Sequence, residues 1–587
     1  ANIDVLDVSQ CRYAERICAA ALQGLANRDS PRLYLDYGIY DDPAARRTNE
    51  VFMADEFWYG KYRDLLGPQD QRNLEYYQRE HGAACHPAAN LDELIHKYAG
   101  ELKGCVVWDE TVPDTVNLAL MLAAQQDLLP VDAGLLPRAA ACGLEVRQDL
   151  RDCFGERVEL YRWAFENLFS GCKAGWLACI EPDWQRPEFV DYLVQNRVFI
   201  YNLSSQCKGQ GNDLLLLLAF GPAWLREALF ALRLDGPLRW WALRWLGRHS
   251  PEVGLNNRIQ RAATQAGDYP TLFGWHTRRD DELSMMLLLS ANGLRLAPAH
   301  LASNFSFHSR VTPLTAPQPA PEGSDPVPVH GQRMPVPIER VPVPAKRVPV
   351  PAKRVETRLD SEGVYLTFTL SDGDQLMMMS TAELGNWYSP ARGKVCFNWE
   401  VQPLLAELAP ALLEKYRRSA SITDCLIAGP SGAGYIVPPL APDLPRYLRE
   451  TARLCNAAGL SVATSYVADP PRRVLRQLAR HGGGLDYLAG YAVVGRKPQT
   501  LVDDCVIVAN EIPVVSHIWD GAEETLAAVR SLAEMPGPRP RFIGVHLFAY
   551  RTTIDDVARF AESLQDEHVH IVRADTFLTL AKKHLRR

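Results

Sequence analysis

Residues 327–354 read as four tandem heptads, VPVHGQR, MPVPIER, VPVPAKR and VPVPAKR, each ending in arginine. Proline fixes φ and has no backbone donor, so this stretch can be neither helix nor central strand. It is expected to run extended, near polyproline II. The preceding Thr312–Asp325 is also proline-rich, which places a linker at about 313–356. Whatever folds must therefore fold on either side of it. The repeat reads first as a semi-rigid spacer, and second as a docking strip for a protein partner of SH3-like or acidic character.

The two sides are large enough for several domains, since 587 residues at roughly 150 per domain allow about four. Apolar residues at 47% and charged residues at 23% are globular proportions. There are 63 Lys and Arg against 70 Asp and Glu. That balance argues against a chain built to grip nucleic acid. The longest apolar run, Leu214–Phe220, is far short of the about 20 residues that span a bilayer, so no membrane span is expected. No leader is visible at Ala1, although one could have been removed. Thirteen cysteines without a CxxC or a zinc-like quartet read as buried free thiols. They lean toward a reducing compartment without fixing one. Oligomeric state is left open.

Residues 1–150 alternate strand and helix. Ile3–Val8, Arg32–Tyr37 and Cys105–Trp108 read as strands, and Arg12–Ala26 and Val116–Gln125 as helices. Residues 151–312 read as a second α/β region, richer in helix and tryptophan. Residues 357–587 carry a regular strand–helix beat. Strands are expected at 364–370, 394–397, 424–428, 461–466, 487–491, 506–509, 514–518, 542–548 and 570–573. Helices are expected at 404–416, 444–457, 472–480, 523–533 and 554–565. The fold class is thus α/β and multi-domain, with a C-terminal (β/α) barrel-like domain, complete or irregular; an open doubly wound sheet is the alternative.

In a parallel barrel, chemistry collects past the carboxyl ends of the strands. Ser371-Asp372-Gly373-Asp374 follows the first strand, and two carboxylates about a glycine suit acid–base work, a metal, or a plain turn. Trp399 and Glu400 follow the second, an aromatic face beside an acid. The third leads into Gly432-Ala433-Gly434-Tyr435, where glycines permit close approach of a ligand and Tyr435 offers a hydroxyl. Tyr466 and Asp469, then His517 and Trp519, then His546 stand at later strand ends. Acids, aromatics and histidines together suit a polyhydroxylated ligand.

These motifs resemble the GxGYxYP family, assigned to glycoside hydrolysis by neighbourhood and architecture. Its name-giving motif stands here as Gly432-Ala433-Gly434-Tyr435-Ile436-Val437-Pro438, with Val437 where the family has a second tyrosine. The SDGD of Ser371–Asp374 is similar too, with Gln375 in place of an expected asparagine. So are Leu22–Leu35 and Ser303–Ser309 in the N-terminal half. The resemblance implies α/β N-terminal domains, a barrel-like C-terminal domain and a carbohydrate ligand. The leading expectation is a glycoside hydrolase using paired carboxylates drawn from Asp372, Asp374, Asp469 and Glu400. One of Asp372 or Asp374 would act across the mouth from Asp469, and Tyr435, Gly432, Gly434, Trp399, Trp519, His517, His546 and Tyr466 would bind the sugar. No cofactor is called for. The alternatives are a non-enzymatic glycan-binding or scaffold protein and a metal-dependent polysaccharide deacetylase. The deacetylase would draw its metal ligands from Asp372 or Asp374 and His546.

Overall fold

The computed structural model describes residues 2–38, 69–182, 189–206, 209–265, 268–274, 282–299, 302–314, 358–370, 376, 387–465, 471–489, 499–503, 505–512, 522–547, 552–564, 566 and 568–586. The proline heptads and the expected strand at 514–518 lie outside these residues.

The N-terminal half holds three small parallel sheets. In the first, β1 (Asn2–Asp7) lies between β2 (Leu33–Asp36) and β3 (Ala84–Pro87). The second has β4 (Cys105–Val107) between β5 (Leu129–Val131) and β6 (Val146–Asp149). The third takes the order β10-β9-β7-β8, from β7 (Trp176–Cys179), β8 (Phe199–Tyr201), β9 (Thr271–Gly274) and β10 (Arg295–Ala297). Four helices run between β8 and β9: Gln210–Phe220, Ala223–Ala231, Asp235–His249 and Pro251–Ala263.

The sequence stretches Leu22–Leu35 and Ser303–Ser309 meet in a buried polar network that ties the first sheet to the third. Gln23 donates to Asn304 Oδ1 at 2.6 Å, and Asn27 donates to Ser306 Oγ at 3.2 Å. Gln195 donates to the carbonyls of Asn27 and Ser306, and Asp191 accepts from the Ser306 N–H. Tyr77 lies 2.8 Å from His308 Nδ1, and both residues are buried. The Asn27, Gln195 and Asn304 amides are buried with partners on both nitrogen and oxygen, which is what makes burial of polar groups tolerable.

The C-terminal domain is a nearly closed parallel barrel. Its strands are β11 (Val364–Leu370), β12 (Phe397–Val401), β13 (Asp424–Ala428), β14 (Val462–Ser465), β15 (Asp486–Ala489), β16 (Gln499–Val502), β17 (Cys505–Ile512), β18 (Arg541–Leu547) and β19 (Val569–Ile571). The order runs β12-β13-β14-β15-β17-β18-β11, and β11 pairs back to β12 through Thr369–Asn398 and Leu370–Trp399. One edge of β11 belongs to β18. The other is shared, with β19 against Val364–Leu366 and β12 at the carboxyl end. β16 pairs antiparallel with β17 and was not expected from the sequence.

Outer helices follow the amphipathic rule. In Leu444–Ala458, Leu444, Tyr447, Leu448, Thr451, Leu454, Cys455 and Ala458 are buried at helical spacing. The Asp443 side chain accepts from the Arg446 N–H at its start, a cap of about 1 kcal/mol. The expected helix at 404–416 is instead two pieces, Leu405–Leu408 and Pro410–Ser419, because Pro410 cannot sit inside a continuous helix.

The last helix, Ala574–Leu585, is the main departure from expectation. Its Phe577, Leu578, Leu580 and Ala581 pack with Tyr365, Cys425, Ile427, Val462, Leu488 and Phe542. Those six are the inward side chains of five strands, four of them at a strand's amino end. The opposite parity, including Leu366, Phe368, Phe397, Trp399, Val401 and Val545, packs in the main core outside the barrel. The amino-terminal end of the barrel is therefore closed by the apolar face of a helix.

Candidate active site

Above that apolar closure, the inward positions turn polar. Thr367, Thr369, Asn398, Glu400, Gln402, Thr464 and His546 are all buried. The Asn398 amide donates to Phe368 O at 2.7 Å and to Thr367 Oγ1 at 2.8 Å, and its carbonyl accepts from Ala574 N. Asn398 thus seals the top of that closure. One inward position further along β12, Glu400 Oε1 accepts from the Thr464 hydroxyl at 2.7 Å. His546 Nε2 stands 3.3 Å from the same oxygen. β12, β14 and β18 each supply one of these three groups, at the carboxyl-end half of the barrel.

The local reason is strand parity. Phe397, Trp399 and Val401 face outward, so Asn398, Glu400 and Gln402 must face inward. A strand at 394–397 was expected, with Asn398, Trp399 and Glu400 beyond its end; the strand instead begins at Phe397 and contains all three. Glu400 is consequently a lining residue and Trp399 a core residue. The Trp399 indole is fully buried against Phe397 and Trp387, and its Nε1 donates to Asp424 Oδ1 at 3.0 Å. It is not placed to stack on a sugar.

The glycine-rich loop after β13 is placed as a joint between domains. Leu296 of β10 and Tyr435 form an antiparallel bridge with N–H to carbonyl distances of 2.9 and 2.7 Å. Arg295 donates to Ala433 O, Ser290 accepts from Val437 N, and the Tyr435 hydroxyl donates to Glu282 Oε1 at 2.6 Å. Gly434 has φ +92, and a Cβ there would stand 2.7–2.9 Å from Arg295 carbons. At Gly432, φ +129, a Cβ would meet Thr451 Cγ2 at 2.4 Å. Both glycines are required by close approach of protein, and Tyr435 is buried in the joint. Val437, which replaces the family's second tyrosine, is buried there as well. One thread connects joint and lining: Gln402 Oε1 accepts from Gly434 N at 2.9 Å.

Asp372, Asp374, Tyr466, Asp469, His517 and Trp519 lie outside the described residues. By sequence they follow β11, β14 and β17. Glu400 and His546 are the two expected site residues that the structure brings together. Thr464, Asn398 and Gln402 were missed; the available signal was polar residues alternating with apolar ones inside short strands. Among the described residues no group of three or more His, Cys, Asp or Glu side chains could hold a metal ion, and twelve cysteines stand without a disulfide. No single described helix is long and apolar enough to cross a membrane.

Residues 362–582 match the family model described as "GxGYxYP putative glycoside hydrolase C-terminal domain". Residues 102–172 match "GxGYxYP_N second domain", which spans the β4–β6 sheet. No curated protein matches the chain. A crystal structure described as "a putative hydrolase from Bacteroides thetaiotaomicron VPI-5482" is similar over 100% of this chain and 95% of its own, at 17% identity and a TM-score of 0.72. At that identity the likeness concerns the fold.

Proposed function

We propose, for a chain that belongs to the GxGYxYP family, that it is a glycoside hydrolase working at the carboxyl-end mouth of the C-terminal barrel. The observation that carries this reading is the inward Glu400, held by Thr464 and standing 3.3 Å from His546 where a parallel barrel keeps its chemistry. The family description and the hydrolase description of the structural relative point the same way.

Glycoside hydrolysis needs one carboxylic acid to protonate the leaving oxygen and one carboxylate as base or nucleophile. Glu400 supplies one carboxyl group, with the Thr464 hydroxyl fixing one oxygen and the His546 imidazole 3.3 Å from it. The second comes from Asp372, Asp374 or Asp469. Leu370 pairs with Trp399, the neighbour of Glu400, so Asp372 begins only two residues beyond that register. Two residues reach at most about 7 Å. His517, Trp519 and Tyr466 would line the sugar beyond the acids.

The test is a glycan screen that reads both product and binding, on the native chain and on Glu400→Gln, Asp372→Asn, Asp374→Asn and Asp469→Asn. Turnover that drops on the order of 1,000-fold in Glu400→Gln and in one aspartate variant, with binding kept, supports the pair. Binding without product in the native chain makes this a recognition protein. Product formation abolished by a chelator and restored by a divalent metal assigns a metal-dependent reaction instead.

A further inference from the structure

The helical insert between β8 and β9 and the outer helices of the barrel leave a cleft of about 550 Å³ between them. Small-ligand sites are commonly about 300–1,000 Å³ and often lie where domains meet. The insert supplies Phe230, Asp235 and Arg239. The barrel supplies Pro438 and Pro439, just past the Gly432–Val437 loop, and Arg473 in the first turn of the helix Arg472–His481. The two walls are tied to each other at two points. Arg239 donates to Leu440 O at 3.1 Å, and the Arg472 N–H donates to Glu227 Oε1 at 2.7 Å. The cleft is thus built before any ligand enters, which lowers the entropy cost of binding.

Its charge is unbalanced. Arg233, Arg239 and Arg473 line it, and Asp235 is the one carboxylate among its described lining residues. Arg473 stands 3.7 Å from Asp235 and lies over the Phe230 ring, 6.0 Å from its centroid. Arg239 is half-buried and uses one donor, on Leu440 O. Among the described residues no carboxylate stands at ion-pair distance from it. Burial pushes its guanidinium below the usual arginine range; Asp235 pulls it up and Arg473 pulls it down. A guanidinium is a planar fork of donors that fits two oxygens of a carboxylate or phosphate. A bound oxyanion would offset the cost of holding this cation out of water.

We propose that the cleft binds the oxyanion group, carboxylate or phosphate, of a compact acidic ligand. Arg239 and Arg473 hold the charge, and Phe230 with the neighbouring prolines covers the ligand's apolar body. A sugar acid and a phosphate ester share this chemistry. The site is separate from the barrel lining. Its barrel residues belong to the segment after β13 and to the outer helix after β14, whereas Glu400 points into the barrel from β12. It stands whether or not the barrel hydrolyses a glycan.

Inorganic phosphate and glucuronate are titrated into the full chain by calorimetry at low salt, with glucose as the neutral control. Saturable binding of phosphate, of glucuronate or of both is expected, and none of glucose. Tighter phosphate assigns a phosphate ester, and tighter glucuronate a sugar acid. Affinity should fall roughly tenfold in Arg239→Gln and in Arg473→Gln. Asp235→Asn removes the competing carboxylate and should tighten binding roughly threefold, a gain that misfolding does not mimic. Glu400→Gln should bind both anions as the native chain does. No saturable binding of either anion would overturn the proposal. So would binding unchanged in both arginine variants, weakened in Asp235→Asn, lost in Glu400→Gln, or matched by glucose.

Discussion

Two sets of buried polar groups in this chain have opposite purposes. One joins domains: Asn27, Gln195, Asn304 and Ser306 in the N-terminal half, and the Gly432–Val437 loop against Arg295, Leu296 and Ser290. The other lines the barrel: Glu400, Thr464 and His546, on separate strands. The first set is bonded through backbone groups, side-chain amides, hydroxyls and the Arg295 guanidinium, and its glycines let chains touch. The second gathers ionisable side chains at the end of a barrel whose other end is closed. A motif conspicuous in sequence can thus belong to a joint, while chemistry is carried by residues no motif names.

If that division holds, substitutions in the two sets separate stability from activity. The largest effect is expected for Glu400→Gln. It keeps shape and one hydrogen bond, so the urea midpoint should move little. Turnover on the glycan identified in the screen should fall on the order of 1,000-fold, about 4 kcal/mol in the barrier. A variant that loses stability and keeps its rate would move Glu400 into the structural set.

The N-terminal joint carries two opposed pH dependences. Burial holds the His308 imidazole down at about 3, against 6.5 for an ordinary histidine. A depressed histidine stabilises the native state fully above 6.5, and that contribution is lost as pH falls toward 3. Between neutral pH and about pH 4 the His308 contribution alone should fall by ~3 kcal/mol, read as the pH dependence of the urea-unfolding difference between the native chain and His308→Gln. Asp191 runs the other way. Burial raises its carboxyl to about 6 from 3.8, so its contribution is largest below 3.8 and disappears as pH rises through 6. Asp191→Asn should therefore gain stability at neutral pH relative to acid.

Next in size is Gly434→Ala. A positive φ and Arg295 carbons within 2.9 Å should cost about 2–3 kcal/mol of stability, while kcat of the folded fraction stays the same. Tyr435→Phe is the mildest. It removes one hydrogen bond to Glu282 and should cost about 1 kcal/mol, with no change in KM. A raised KM there would return the motif tyrosine to the substrate.

Much of the architecture was legible beforehand. β11 and β13 fall at the expected residues, and the helix at 444–457 ends one residue later than read. These elements show a clean apolar period because one face meets a core. β12 did not, since a polar barrel lining interrupts the apolar run at Asn398 and makes the strand look as if it had ended. The helix Ala574–Leu585, which follows the expected final strand, was missed, because apolar residues that close a barrel's end look no different from those that cover its outside.

By itself the sequence determined the α/β class, and it offered a parallel barrel with an open doubly wound sheet as the alternative. The class follows from local rules: period and chain connectivity. Only the tertiary structure decided that Trp399 packs in the core while Glu400 lines the barrel, and that Gly434 and Tyr435 clasp a neighbouring domain. A one-residue change in where a strand starts leaves the sequence pattern nearly unaltered, yet it decides which side chains sit past the strand's end and which line the barrel.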